Sequence, residues 1–390
     1  MTGGLVSVVI PVHNTAEFVG DALGSIREQS HGDLEIICID DASTDDSLAV
    51  LRSQAAEDDR IRIVEMRVNI GLGSVRNVGL QHAAGEWVYF FDSDDVLERD
   101  AIEALVERAT LDALDVLHFD ASPFSEEVAP DRLEGYRRYY RRGGEYAGVW
   151  TGRDLFAAMA AADDWKPSMC LRLLRRSWLL ASGIRSPEGV LHEDQLHAFR
   201  IAMAQSRAGY LARALFHRRL RADSITTSAP TAKHVLGLAQ ACGESSWIAD
   251  LLGTGADSAL GAAIRQEMGK THVDAVHKYS LLSGDERRAL AAVDRQTFAT
   301  IAELGLIDAQ VEASRLRTEV DSLASATDAD RARLEAELMH AHERIAEYGR
   351  HPLRRLVRRA RAVLSARRDD GRFQESAAGP PEPLHRSSDR

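Results

Sequence analysis

The chain is poor in cysteine. Its 390 residues hold three, Cys38, Cys170 and Cys242. They are scattered, no pair has metal or redox spacing, and an odd count gives no disulfide framework. A reducing cytoplasm is the expected compartment. Long apolar runs are also missing. None approaches the roughly 20 residues that a membrane span needs. Met1 runs almost directly into an apolar strand, with no charged n-region or cleavage site, so no signal peptide is expected. Positive charge is in deficit too: the formal net charge is −12, which argues against nucleic acid as a partner. That deficit is uneven. Residues 350–368 hold eight arginines and no acid, so removing their +8 from −12 leaves −20 on the rest of the chain.

The chain does hold alternating strand and helix signals over residues 1 to about 120. Leu5–Pro11 is a near-continuous apolar run with β-branched residues, the pattern of a buried parallel strand. Phe18, Val19, Ala22, Leu23 and Ile26 then recur at helical spacing. Leu34–Ile39, Ile61–Val64 and Glu86–Phe91 read as further strands, and Ile102, Leu105, Val106 and Ala109 mark a helix. Ser43 with Asp46 three positions on resembles a capping box, with Asp in place of Glu. The order predicts an α/β fold, a mostly parallel Rossmann-like sheet with helices on both faces.

Residues 1–230 are expected to form the main domain, and 231–308, rich in Ala and Leu, a helical region. Residues 309–349 carry a short heptad seam through Leu316, Val320 and Leu323, which predicts a coiled coil able to join copies of the chain. In 350–368, Leu353, Leu356, Val357, Ala360 and Leu364 share one helical face and arginines fill most of the rest. That pattern predicts a basic amphipathic helix lying on an anionic membrane surface; a solvated or partner-docking helix is the alternative. Residues 369–390 are polar and read as a disordered tail.

Acidic residues end two of the strands. Asp40-Asp41 follows the second, and Asp92-Ser93-Asp94-Asp95 follows the fourth. In open α/β sheets ligands bind beyond the carboxyl ends of the strands, where Mg2+ or Mn2+ commonly bridges one or two carboxylates and a diphosphate. Acidic turns that cap the next helices are the plainer alternative. Arg76 follows the Gly71-Leu-Gly73 turn near a helix start, a position suited to a diphosphate. His192-Glu193-Asp194 precedes an apolar helical stretch, and a carboxylate there can serve as a base; acids in a first helical turn are also common. Arg218, Arg219 and Arg221 precede a loop with Ser224 and Thr226, a candidate phosphate clamp or a basic surface strand.

Together these residues resemble family 2 glycosyltransferases with the GT-A fold. The resemblance runs through Ser7–Asn14, Ile39–Asp45, Asn69–Gly71, Val75–Gly79 and Gly85-Glu86 leading to Phe91–Asp95. It continues through Pro187–Asp194 and Arg219–Thr226. It is nearest to enzymes that decorate bacterial cell-surface polymers such as wall teichoic acid and capsule. The resemblance implies that Pro11 and Asp41 contact the uracil of a UDP-sugar, with His13 stacking. Asn69 and Arg76 would reach the nucleotide and diphosphate. Asp92 and Ser93 would lie on the donor side, and Asp94 would ligate Mn2+ or Mg2+. Asp194 would be the general base of an inverting transfer, with Glu193 beside the donor. Arg219, Arg221 and Ser224 would close on the diphosphate. The implied acceptor is a hydroxyl of a cell-surface glycan, a polyol-phosphate polymer or a lipid-linked molecule, met at the inner face of the membrane.

The match is imperfect in two places. Leu171–Arg176 reads Leu-Arg-Leu-Leu-Arg-Arg where relatives more often have Asn-Lys-Leu-Tyr-Arg-Arg, and the Gln-x-x-Arg-Trp signature of processive synthases is absent. Two rival readings stay open. One is a sugar nucleotidyltransferase, disfavoured because Val12-His-Asn-Thr-Ala16 stands where a Gly-rich basic loop is needed. The other is a non-catalytic, membrane-associated scaffold that retains the domain.

Overall fold

The computed structural model describes residues 4–293, apart from 126–127, 222–228 and 256–257, together with Met339. The expected basic helix and tail lie outside the described residues, as does Ser224, and of the expected coiled coil only Met339 lies inside them. Residues Met1–Ile301 form one compact unit.

The first half follows the expected alternation: β1 (Val6–Val12), α1 (Val19–Arg27), β2 (Leu34–Asp40), α2 (Ser47–Ala55), β3 (Ile61–Glu65), α3 (Leu72–His82) and β4 (Trp87–Phe90). Then come β5 (Val96–Leu97), α4 (Ala101–Leu111), β6 (Val116–Phe124), α5 (Pro130–Tyr140), β7 (Trp150–Thr151) and α6 (Gly152–Ala161). A 3-10 turn at Met169–Leu171 leads to β8 (Arg172–Arg175), α7 (Arg176–Ala181), α8 (Glu193–Met203) and β9 (Arg207–Arg219). The described helical region is α9 (Ala232–Leu251), α10 (Ala259–Leu281) and α11 (Gly284–Val293).

Among the described residues nine strands form one sheet, in the order β3-β2-β1-β4-β8-β6-β9-β5, with β7 paired to β9. Strands β1 to β4 are mutually parallel, whereas β8 runs antiparallel to both β4 and β6. Every residue of β1 is buried. Its side chains alternate between two cores, as successive side chains of a strand must. Val8 and Ile10 pack with Val19, Leu23 and Ile26 of α1 and Ile102 and Leu105 of α4 on one face. Val9 packs with Val75 and Leu80 of α3, Met159 of α6 and Phe199 of α8 on the other. That is why the run read as continuously apolar: both faces are covered. Helix α9 packs on α8 and on α10, and α10 on α6, so the helical region extends the second core.

The chain leaves β1 for β2 and β3 on one side and returns to β4 on the other. This reversal opens a crevice at the carboxyl ends of β1 and β4. The motif after β2 and the motif after β4 both border it. The capping box expected at Ser43 is not formed. Helix α2 begins at Ser47, with Asp46 in the N-cap position and no side-chain cap. Ser43 Oγ instead accepts from the Asn14 amide at 3.2 Å, and the Asp45 carboxylate ties Ala16 N to Ser47 N, both at 3.0 Å. Ser43 and Asp45 cross-link the loop, and Asp46 stands at the helix start without capping it.

Candidate functional site

Asp41 lies one residue beyond β2 and is 3% exposed. Its Oδ1 accepts from Ile70 N at 2.7 Å and its Oδ2 from Gly71 N at 2.9 Å. The carboxylate thus fixes the turn into α3. Gly71 is held at φ +84°, a left-handed backbone that glycine adopts without a Cβ penalty. The Asp41 carbonyl is approached by His13 Nδ1 at 2.8 Å and by Asn69 Nδ2 at 3.4 Å. His13 and Asn69 are both exposed, while Pro11 is buried in β1. The four residues assigned to the base and nucleotide side therefore meet at the ends of β1 and β2.

The second acidic turn is more crowded. Ser93 is buried and its hydroxyl pairs with that of Thr15 at 3.0 Å. Asp94 accepts from Arg221 Nε at 2.9 Å through Oδ2, and its carbonyl accepts from Arg219 Nε at 2.9 Å. Asp95 is 3% exposed and accepts from Arg219 N at 2.7 Å. Arg219 also reaches Asp21 at 3.1 Å. Arg219 and Arg221 both lie over the ring of Phe18, at 5.3 and 5.1 Å. Burial and the neighbouring charge of Asp92 push the Asp94 carboxyl up, against the pull of Arg221. Burial, then Asp94 and Asp92, push Asp95 well above the carboxylate range. The three carboxyls on this turn repel each other, which a divalent cation would relieve, but among the described residues no three acids, histidines or cysteines converge closely enough to hold one. Hard oxygen donors of this kind suit Mg2+ or Mn2+.

Arg76 occupies a place the sequence did not foresee. It is 2% exposed, with Nη2 3.1 Å from Asp92 Oδ1 and Nη1 2.6 Å from Glu193 Oε1. Burial pulls the guanidinium down, but Asp92 and Glu193 outweigh it and hold the side chain charged. Expected at a diphosphate, Arg76 has its two outer nitrogens turned to carboxylates. It bridges the turn after β4 to the first turn of α8. Glu193 is 5% exposed, and burial pushes it up to about 7, against the pull of Arg76. Asp194 beside it is half-buried and accepts from the Gln195 amide at 2.9 Å. The preceding His192 holds a left-handed φ of 59°, unusual for a side-chain-bearing residue. Its ring lies 5.4 Å from that of His234 in α9.

Asn77, one residue beyond Arg76, clamps the segment before α8. Its amide donates to Ser186 O and Glu188 Oε1, both at 2.9 Å, and its carbonyl accepts from Ser186 N at 2.9 Å. Gly73 completes this contact: an added Cβ would lie 1.8 Å from the Pro187 carbonyl oxygen. Sequence reasoning gave Asn77, Asp95 and Tyr140 no role. Asn77 and Asp95 stand inside the motifs already recognised. Tyr140, whose hydroxyl accepts from Arg218, carried no signal of its own.

The structure thus gathers Pro11, His13, Asp41 and Asn69 at one end of the crevice. Asp92, Ser93, Asp94, Arg219 and Arg221 meet at the next strand end. Arg76 ties Asp92 to Glu193-Asp194.

Known proteins resemble this chain in sequence and in fold. Residues 7–161 match the family described as Glycosyl transferase family 2. The chain is 29% identical over 230 residues to the putative glycosyltransferase EpsH of Bacillus subtilis (strain 168), an alignment covering 56% of this chain and 62% of that relative. The chain therefore spans less than two thirds of that relative's length. Among solved structures, S. aureus TarS 1–349 in complex with UDP-GlcNAc superposes with a TM-score of 0.56 at 19% identity, over 88% of this chain and 89% of that one. The mannosyltransferase PcManGT from Pyrobaculum calidifontis, in complex with GDP-Man and Mn2+, gives 0.51 at 18%, over 88% and 87%. These two likenesses are likenesses of fold.

Proposed function

We propose, from the match of residues 7–161 to Glycosyl transferase family 2, that the chain transfers a sugar from a UDP-sugar to a hydroxyl of a cell-surface glycan, polyol-phosphate polymer or lipid-linked acceptor, with inversion. The observation that carries this reading is the Arg76 bridge, which ties the strand-end acids to the acidic pair at the start of α8. A donor held by the first group has its reacting carbon presented toward the second.

In this reading Pro11, His13, Asp41 and Asn69 bind the uridine. Arg219 and Arg221 offset charge on the diphosphate, and Ser224 joins them. Asp94, with Asp92 beside it, would hold Mn2+ or Mg2+, a cation that would offset charge on the leaving diphosphate. Asp194 accepts the proton of the acceptor hydroxyl as that oxygen bonds to the anomeric carbon. The bond from the anomeric carbon to the diphosphate oxygen breaks, and UDP leaves with the electron pair. Arg76 touches neither substrate: it fixes Asp92 and Glu193, and through Glu193 the neighbouring base. The three departures at Leu171, Arg172 and Leu174, all buried, leave acceptor contacts to other residues.

Among the described residues no helix is long and apolar enough to cross a membrane. Self-association through 309–349 and membrane contact through 350–368 rest on sequence alone, as does a cytoplasmic location at the inner membrane face. The test of function is a thermal-shift screen of nucleotide-sugars with and without Mn2+, followed by product analysis. Bound ligand raises the melting temperature as concentration exceeds Kd. Selective, Mn2+-dependent stabilisation by one UDP-sugar and an inverted product are expected. No nucleotide-sugar binding, or metal-independent binding with a retained product, overturns the reading.

A further inference from the structure

The acidic pair Glu193-Asp194 is presented by a turn with little structure of its own. Residues 186–192 form neither strand nor helix. The turn ends at His192, held at a φ of 59°. Such a backbone costs a side-chain-bearing residue free energy and persists only where its surroundings impose it. His192 makes no side-chain cap to α8, and its Nε2 is buried with no hydrogen-bond partner among the described residues. The position of the turn therefore has to come from what packs on it.

Helix α3 supplies one grip, through Gly73 against the Pro187 carbonyl and Asn77 on Ser186 and Glu188. Helix α9 supplies a second, and there too a glycine meets a carbonyl. A Cβ added to the buried Gly237 would lie 1.8 Å from the Leu191 carbonyl oxygen and 2.9 Å from its carbon. Three residues earlier, on the same helical face, His234 sets its ring 5.4 Å from that of His192. The Thr231 amide donates to His234 Nδ1 at 3.0 Å, which ties that ring to the first turn of α9. Seven residues after Gly237, again on that face, Glu244 accepts from Arg200 Nε of α8 at 2.6 Å. Arg200 Nη1 in turn donates to the Arg185 carbonyl at 2.9 Å. Helix α9 thus meets Leu191 and His192 at the end of the turn, and beyond it the arginine of α8 that ties back to Arg185. The approach at Leu191 leaves least freedom, because a backbone carbonyl cannot rotate away as a side chain can.

We infer that α9 sets the position of the proposed base, with Gly237 as a positioning residue that acts on Asp194 through the Leu191 carbonyl and the left-handed His192. This rests on the reading of Asp194 as the base. It adds a residue far outside the stretch 7–161 that matches the family. It also gives α9 a part in catalysis beyond extending the second core. A bulkier residue at 237 must push Leu191 and His192 away, and Asp194, two positions on, moves with them.

A matched pair of substitutions in one helix tests it in the full chain. Gly243 of α9 is exposed, and an added Cβ there meets nothing within 4 Å. Turnover is read as UDP release from UDP-GlcNAc, UDP-Glc and UDP-Gal with Mn2+, water serving as acceptor. Gly237→Ala should lower kcat about 10²-fold, the scale of a small misplacement of a reacting group, with donor KM near the wild-type value. Gly243→Ala should leave kcat unchanged and the melting temperature equal or higher, since alanine favours a helix interior. In an Asp194→Asn background, Gly237→Ala should cost little more. Hydrogen exchange, which needs no substrate, should quicken at the amides of 189–195 in Gly237→Ala and stay unchanged in β1 and in Gly243→Ala. Wild-type kcat or unchanged exchange in Gly237→Ala overturns the inference, as does a loss that recurs in full on top of Asp194→Asn. A fall in donor affinity and melting temperature that accompanies the loss of kcat also overturns it, because Gly237 would then serve the fold alone. Normal turnover in Asp194→Asn defeats the base reading and this inference with it, whereas a slow Asp194→Asn beside a normal Gly237→Ala defeats the positioning role alone.

Discussion

Asp41 and Glu193 are both buried carboxylates at the rim of one crevice, and they live in opposite circumstances. Asp41 accepts two backbone amides from the turn into α3. Glu193 faces a guanidinium that it shares with Asp92, and burial has pushed it up to about 7. The first builds the wall of a pocket out of backbone, which needs no partner side chain from elsewhere in the chain. The second exists only because α3 and α8, 117 positions apart in sequence at Arg76 and Glu193, come together. The proposed donor side is thus set by a turn close to its own strand, and the proposed acceptor side by tertiary packing. Both halves follow from the same requirement that a buried charge be met.

The largest effect should come from the residue beside Glu193. Asp194→Asn should lower transfer by about 10²–10⁴-fold, the range of a lost general base, with UDP-sugar affinity by calorimetry largely unchanged. Near-normal turnover removes Asp194 from the mechanism. Next in size is Arg76→Gln, which leaves Glu193 without its cation. Removing one partner of a buried ion pair costs about 3 kcal/mol, read by urea denaturation. Asp41→Asn should cost less, about 1–2 kcal/mol from weakened hydrogen bonds to Ile70 and Gly71. If Asp41→Asn is the more damaging of the two to stability, the contrast between the halves is broken.

The smallest effect sharpens the contrast through pH. Glu193 titrates higher in the folded protein than a free glutamate does, so the folded state holds its proton more tightly. The stability this gives is complete below the unfolded value near 4.5 and is lost as pH rises through about 7. Glu193→Gln should therefore flatten part of the stability profile between pH 4.5 and 7. Denaturation curves at pH 5 and 8 that change equally in wild type and variant would remove the titration of Glu193 from this picture.

The same contrast governs what the sequence made legible. The strands β1, β2 and β4, and the acids that end β2 and β4, could be read off because each is a local pattern, buried on both faces and followed by a turn. Asp41 and Asp94 could be found for the same reason. Arg76 was recognised as a site residue, but its partners could not be read from spacing, because Asp92 and Glu193 reach it from different elements. Ser43 misled because Ser and Asp at that spacing serve either a helix cap or a cross-linked loop, and the neighbouring loop of Asn14 decided it. The mixed strand directions from β8 onward were illegible, since an antiparallel insertion between β4 and β6 leaves no periodic trace.

The most direct measurement is a double-mutant cycle on transfer from the UDP-sugar, using Arg76→Gln, Glu193→Gln and the pair, with kcat and donor KM separated. If Arg76 acts by holding Glu193 and its neighbour Asp194, the two substitutions are strongly non-additive, the pair is scarcely slower than Arg76→Gln alone, and the loss falls on kcat. Independent, multiplying losses, or a loss confined to donor KM, would mean that Arg76 serves the diphosphate directly and that the bridge is not what joins the two halves.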